Sequence, residues 1–219
     1  MDRREKLKES FLNGLRTVGD LMVLNWLWFF CSVPIITIGP ATCALYAVTL
    51  KLARGEHAPP FRDFFRAFRE NFKKGLVLGL IAIALAVVAW VDFGFAMGQT
   101  GPLHTVYLAL AIVLAGVLLS YVCYAFSLQA MFENTLMGQI KNAFAMVFVA
   151  PGKTIMMWFI TLFPVLALLL PKVVISMLGF LYLIAGFSGP AYLNSRLLRD
   201  VFDKINGAPI RPRPEDEEG

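Results

Sequence analysis

Charged residues are excluded from long stretches of this chain, and that exclusion constrains its fold more than any other feature. No Lys, Arg, Asp or Glu occurs in four segments, at residues 21–50, 93–132, 154–171 and 173–195. A helix needs about 20 apolar residues to cross the hydrocarbon core of a bilayer. Composition agrees, because 58% of the residues are hydrophobic and only 16% are charged. The sequence therefore predicts an all-α, polytopic membrane protein.

The Lys and Arg residues predict how the helices are oriented. We expect four full transmembrane helices, at residues 75–96, 103–130, 153–170 and 173–192. With that topology every basic residue except Lys172 faces one side of the membrane, and the positive-inside rule assigns that side to the cytoplasm. Both termini are then expected in the cytoplasm.

The apolar run at residues 21–50 needs a different explanation, because Pro34, Gly39 and Pro40 interrupt it. A proline inside a helix removes a hydrogen bond and clashes with the preceding turn. Each flank of the interruption is shorter than a full span. We therefore expect a broken, re-entrant or short helical hairpin that returns to the cytoplasmic side and adds one or two further passes. Its backbone must be covered by other helices or line a polar cavity, since lipid satisfies no N–H or C=O group.

Residues 61–74 have the pattern of an interfacial amphipathic helix. Phenylalanines recur there at helical spacing, and charged residues occupy the remaining faces. The basic residues flank apolar spans, so the expected partner is a bilayer with anionic headgroups rather than a nucleic acid. Residues 1–205 are expected to form a single helical membrane domain. Residues 206–219, which are rich in proline and acidic side chains, are expected to be a disordered tail.

The broken hairpin provides the first candidate site, at Pro34, Thr37, Gly39 and Pro40. A break at membrane depth frees backbone groups, and half-helix ends of this kind bind ions or polar ligands in broken-helix transporters. The alternative is a tight turn whose polar groups are satisfied by threonines and neighbouring helices. Asn25 lies in the same run, where a buried amide can join two helices by hydrogen bonds. Both interpretations of the hairpin remain open at this point.

Two acidic residues are further candidates. Asp92 falls near the outer end of the 75–96 helix, either as an interfacial carboxylate that reaches water or as a proton or cation relay. Glu133 follows the 103–130 helix, either at a solvated helix end or in a polar contact site for a cytoplasmic partner. The spacing Gly75-x-x-x-Gly79 allows close approach of a second helix.

The sequence contains no pattern that is typical of catalysis. Its two histidines, His57 and His104, form no His-x-x-x-His metal pair. There is also no Gly-x-Ser-x-Gly nucleophile motif and no pair of carboxylates within an apolar run. We therefore expect a non-enzymatic protein with no cofactor and no metal site.

The strings Asn25-Trp26-Leu27-Trp28 and Pro34-Ile-Ile-Thr-Ile-Gly-Pro-Ala41, followed by Ala44-Leu45-Tyr46 and Phe68-Arg-Glu-Asn-Phe-Lys73, resemble the YesL-like family of bacterial membrane proteins. That family has no established biochemical activity, and no functional residues carry over from it. Its members are associated with carbohydrate-utilisation systems that include sugar importers and two-component sensors.

The resemblance implies an accessory or regulatory partner of such a system in the bacterial plasma membrane. Its expected binding partner is a sugar importer permease or a sensor kinase. The alternative function is a small-solute transporter, or permease, that uses the broken hairpin and Asp92.

Overall fold

The computed structural model describes residues 3–56, 58–132, 135–167, 179 and 181–205. All the regular elements in these ranges are helices, which confirms the all-α prediction. They are α1 (Arg3–Ser32), a short 3-10 helix (Ile35–Thr37), α2 (Ile38–Ala53), α3 (Pro60–Glu70), α4 (Phe72–Gly98), α5 (Pro102–Met131), α6 (Leu136–Val149), α7 (Pro151–Ala167) and α8 (Ser188–Ile205). Residues 181–185, before α8, are also helical.

Helices α4 and α5 form the longest hairpin of the described chain. They have 27 and 30 residues, and both are long and apolar enough to cross a membrane. At 1.5 Å per residue their lengths are about 40 and 45 Å. They contain the predicted spans at residues 75–96 and 103–130. The chain reverses at Gly101, whose φ of 70° is one that glycine adopts readily.

The predicted spans at residues 153–170 and 173–192 are described only in part. Helix α7 covers the first as far as Ala167, and α6 and α7 meet at an angle of 107°, so they form a broken span or a re-entrant loop. In the second, a turn at residues 186–187 separates the short helix at 181–185 from α8. A continuous helix through residue 192 is therefore not what the structure contains.

The hairpin predicted at residues 21–50 is present, with different boundaries. Its first arm is the end of α1, a single 30-residue helix, and the break covers only residues 33–37. Gly39 and Pro40, which we expected in the break, lie in the first turn of α2. Proline is tolerated there because the first N–H groups of a helix have no partner within it.

The amphipathic segment predicted at residues 61–74 is also divided. Helix α3 ends at Glu70, and Asn71 separates it from α4, which begins at Phe72. The Asn71 side chain donates to Ala67 O at 3.0 Å. The last residues of the predicted segment therefore belong to the long helix α4.

Helix α2 is the centre of the core and packs against α1, α3, α4, α5 and α8. Residues 35–53 also pass the length and apolarity test for a span. However, 56% of that span's apolar window is buried within the protein, against 11% for α4 and 22% for α5. Lipid would therefore contact far less of α2 than of the long hairpin.

The core lies at one end of the α4–α5 hairpin. We call it the open end, where α4 begins and α5 finishes. The buried residues of α4 are Gly75, Leu78, Gly79 and Ala96, so three of the four fall in its first two turns. In α5 all buried residues except Ala111 lie between Ser120 and Gln129. The packed helices thus surround the open end of the hairpin. They leave most of the other half, which ends in the turn at Gly101, exposed.

Candidate functional site

The first helix break, at residues 33–37, is closed by the side chain of Thr37. Its Oγ1 lies 2.6 Å from the carbonyl oxygens of Cys31 and Pro34, which share its proton. The Thr37 N–H also donates to Pro34 O at 2.8 Å. Two of the carbonyl groups at the break are therefore satisfied by the side chain of Thr37. Ile35 and Ile36, at the apex, are exposed.

The start of α2 touches α4 backbone to backbone. A Cβ atom added to Gly79 would lie 2.9 Å from Gly39 Cα, and one added to Gly75 would lie 2.9 Å from Pro40 Cα. A Cβ atom on Gly39 would overlap the carbonyl oxygen of Gly75. The Gly75-x-x-x-Gly79 spacing is thus used inside the chain, and it places the broken hairpin against the first turns of α4.

Asn25 bridges the second helix break, at residues 186–187. Its Nδ2 donates to Tyr182 O and Leu183 O, both at 3.1 Å, at the end of the helix at residues 181–185. Its Oδ1 accepts from the N–H groups of Phe187 at 2.8 Å and Ser188 at 3.3 Å, at the start of α8. One amide, only 4% exposed, therefore serves both helix ends.

A polar cluster joins four helices beside these breaks. Asn194 of α8 donates through Nδ2 to Tyr46 Oη of α2 at 3.3 Å and to Thr161 Oγ1 of α7 at 3.0 Å. Thr161 Oγ1 is also 3.4 Å from Cys123 Sγ of α5. Asn194 is 1% exposed, and its Oδ1 accepts no hydrogen bond from any residue that the structure describes. The cluster thus contains one buried acceptor that is not used.

Ion pairs fix the other end of α2, where it meets α8. Arg54 Nη2 lies 2.9 Å from Asp203 Oδ1. The buried Arg199 donates through Nη1 to Ala53 O at 3.0 Å, which satisfies one of the free carbonyl groups at the end of α2. These contacts anchor the second half of α8 beside the end of α2.

Asp92 lies far from the first break along α4. It is seventeen residues after Gly75 on α4, about 25 Å along the helix axis. It is half-buried, and its Oδ2 is buried without a hydrogen-bond partner. Glu133 lies outside the described residues. The structure therefore groups Pro34, Thr37, Gly39 and Pro40 in one break, assigns Asn25 to the second, and leaves Asp92 apart.

An apolar cavity of about 460 Å³ lies between α7 and the second break. Its described lining includes Phe159, Ile160, Phe163, Leu181, Ile184 and Leu193. Neither Asn194 nor Thr161 is among its lining residues. The space suits a hydrocarbon chain rather than a polar ligand.

Sequence reasoning missed Asn194, Arg199 and the second break. A signal for the break was available, because Gly-Pro-Ala occurs at residues 39–41 and again at residues 189–191. In both places the motif lies in the first turn of a helix that follows an interruption.

These features define a multi-pass α-helical membrane protein with two broken helices in its core. Three described helices are long and apolar enough to cross a membrane, or four if the bent pair α6–α7 is one span.

Comparison with known proteins assigns the chain to a family. A family model described as "Protein of unknown function, DUF624" matches residues 21–93, which run from the second half of α1 into α4. "Uncharacterized protein YesL" of Bacillus subtilis (strain 168) is 30% identical over 157 residues, which cover 68% of this chain and 73% of that protein. The chain belongs to the YesL-like family. No solved structure matches it.

Proposed function

We propose that this protein is a non-enzymatic accessory or regulatory subunit of the bacterial plasma membrane. In this proposal it binds the permease or the sensor kinase of a carbohydrate uptake or sensing system, with both of its termini in the cytoplasm. The carbohydrate connection comes from the family resemblance. The observation that carries the accessory role is an exposed apolar stripe on α1.

The stripe follows helical spacing along one face of α1 for about 28 Å. Its members are Phe11, Leu15, Val18, Met22, Trp26, Phe29 and Phe30, and all are exposed. The last four belong to the apolar run at residues 21–50, where lipid would cover them, so Phe11, Leu15 and Val18 are the residues that indicate a partner. Phe11, at the end farthest from the core, is 68% exposed. The adjacent face, with Leu21, Leu24 and Asn25, is buried against the rest of the protein. A helix with one face in the core and one uncovered by described residues is suited to bind a partner helix or groove.

The charges beside the stripe favour a protein partner over a lipid surface. Helices that lie on anionic membranes are rich in Lys and Arg on their polar face. The first twenty residues instead contain five basic and four acidic residues, which nearly balance. Charges of both signs around an apolar stripe pair with complementary charges on a partner protein, and that pairing gives the interface specificity.

The hydrogen bonds at the two helix breaks also favour an accessory role over a polar ligand site at the breaks. At the first break Thr37 hydrogen-bonds two carbonyl groups, and at the second Asn25 hydrogen-bonds two carbonyl and two N–H groups. These side chains are therefore occupied by structural hydrogen bonds.

The test is affinity purification of the tagged protein from its native membrane in mild detergent, after growth on a complex carbohydrate. A permease or sensor kinase should be recovered at near equal stoichiometry. A Phe11→Gln, Leu15→Gln variant should recover at least about tenfold less partner, because buried apolar anchors dominate interface energy.

The matched control is Asn13→Gln with Arg16→Gln, two exposed positions on the same stretch of α1. The control should retain the partner, and all variants should be membrane-inserted and monodisperse. Recovery of the wild-type protein without a permease or kinase would contradict the accessory proposal.

A small-solute transporter is the second candidate, and two observations favour it. Asn194 Oδ1 and Asp92 Oδ2 are both buried without a hydrogen-bond partner. If the protein is recovered alone, uptake into proteoliposomes becomes the discriminating measurement. Uptake by the purified protein alone would favour this alternative.

A further inference from the structure

Helix α3 has three distinct faces. Asp63, Phe64 and Ala67 are buried, in a helix that packs chiefly against α2. An aromatic row follows, in which Phe61 and Phe65 have ring centroids 4.9 Å apart and Phe68 and Phe72 have centroids 5.5 Å apart. The remaining face carries basic residues at helical spacing, and all of them are exposed. These residues are Arg62, Arg66, Arg69 and Lys73, the last of them in the first turn of α4.

The buried carboxylate of Asp63 neutralises only part of the local positive charge. Its Oδ2 lies 2.8 Å from Lys51 Nζ, and its Oδ1 lies 2.9 Å from Arg66 Nη2. Among the described residues, no acidic side chain is within salt-bridge distance of Arg62, Arg69 or Lys73. We call these three residues the basic row. Glu70 is the other acidic residue of α3, and it makes no ion pair with them.

The position of the basic row fixes its depth in a membrane. Helix α4, a candidate span, begins at Phe72, one residue before Lys73. Phe61 and Phe72, which flank the row, are 63% and 37% exposed. Exposed aromatic rings beside cations at the end of a transmembrane helix are typical of the headgroup region. There the rings contact acyl chains and the cations reach phosphates.

We propose that the basic row binds the phosphate groups of anionic phospholipids in the leaflet at the open end of the α4–α5 hairpin. The partner is phosphatidylglycerol or cardiolipin of the surrounding bilayer. An acidic protein would complement the charges alone, whereas a lipid also complements the adjacent aromatic row. The charges of this segment differ from the nearly balanced charges at the start of α1. Residues 61–74 contain five basic and two acidic residues, and one of the acidic residues is the buried Asp63.

The experiment measures lipid adducts on the delipidated, full-length protein by native mass spectrometry. Phosphatidylglycerol and phosphatidylcholine with identical acyl chains are titrated in parallel, so only the headgroup differs. The wild-type protein should prefer phosphatidylglycerol. In the variant Arg62→Gln, Arg69→Gln, Lys73→Gln that preference should fall by at least about tenfold. Each Lys or Arg near an anionic membrane surface strengthens the attraction to that surface.

The matched control is Arg4→Gln, Lys8→Gln, Arg16→Gln, which removes the same charge from exposed positions of α1. It should keep the preference. The variant Arg62→Lys, Arg69→Lys should also keep it. Raising the salt concentration to about 1 M should abolish the preference, because the Debye length is then only about 3 Å and exposed charges are screened from the phosphates. Equal losses in the α3 and α1 variants, or no loss in the α3 variant, would overturn the proposal.

Discussion

Asn25 is the residue whose environment most directly explains its identity. Its carboxamide has two N–H donors and one oxygen with two lone pairs, and all four of these groups are used at the second helix break. Trp28, one turn later on α1, stacks on Phe187 with ring centroids 4.2 Å apart. A side chain of another type would leave either the carbonyl or the N–H groups of the break without a partner.

Replacing Asn25 should therefore destabilise the protein. Asn25→Leu leaves the N–H groups of Phe187 and Ser188 and the carbonyl group of Leu183 unpaired in an apolar setting, at about 1–3 kcal/mol for a buried group without a partner. Tyr182 O keeps its hydrogen bond from Gly186 N–H. We expect a loss of at least about 2 kcal/mol and a fall in Tm of about 4–8 °C. Thermal unfolding in a single detergent measures this change.

The control for this substitution is Asn13→Leu, on the exposed part of α1. That change should alter stability by less than about 0.5 kcal/mol, as surface substitutions usually do. Equal Tm values for the Asn25 and Asn13 variants would show that the break does not depend on the amide.

At the scale of elements, the apolar stretches at residues 75–96 and 103–130 were enough to predict α4 and α5, because a span needs little more than length and apolarity. The boundaries of the broken helices could not be predicted in the same way. Pro40 predicts a helix break in the sequence, but it lies in the first turn of α2. Proline is tolerated there because the N–H group that it lacks would have no partner within the helix. The turn at residues 186–187 lies within an uncharged run, so no change of composition marks it.

Helices α2 and α8 are two similar elements placed side by side. Each follows a break and carries Gly-Pro-Ala in its first turn. A hydrogen bond between the hydroxyl groups of Thr49 and Ser195, 2.8 Å apart, joins them. The common motif is visible in the sequence, but the pairing depends on tertiary contacts that local patterns do not contain.

The glycine contact between α2 and α4 can be tested with two substitutions on one helix. Gly79→Ala places a Cβ 2.9 Å from Gly39 Cα and 3.0 Å from Gly39 N, so the two backbones must separate. We expect a loss of about 1–3 kcal/mol from overpacking. Chemical or thermal unfolding in detergent measures it.

Gly94→Ala is the matched change, because a Cβ at Gly94 on the same helix meets no atom within 4 Å. This variant should be neutral or stabilised by up to about 1 kcal/mol, since alanine is the better helix former. Of the two variants, only Gly79→Ala should therefore be destabilised. A stabilised Gly79→Ala variant would contradict the close packing of α2 on α4.

At the scale of the whole molecule, the packed core and its ion pairs occupy the open end of the long hairpin. Gly39, at the start of α2, contacts α4 within its first two turns, while Arg54, just after α2, reaches Asp203. We therefore predict that the broken hairpin enters the membrane from the open end and goes only part of the way across. Sequence reasoning predicted its return to the cytoplasmic side, but not the polar cluster at Asn194, whose members come from four separate helices.

Labelling of single cysteines with a membrane-impermeant thiol reagent tests this arrangement most directly. Cys31 is first replaced by Ser, and the remaining native thiols, Cys43 and Cys123, are fully buried. Thr100→Cys, in the exposed α4–α5 turn, should react in intact cells. Glu56→Cys, exposed after α2, should react only after permeabilisation, and Ile36→Cys, at the hairpin apex within the bilayer, should react in neither. Reaction of Glu56→Cys or Ile36→Cys in intact cells would contradict the account.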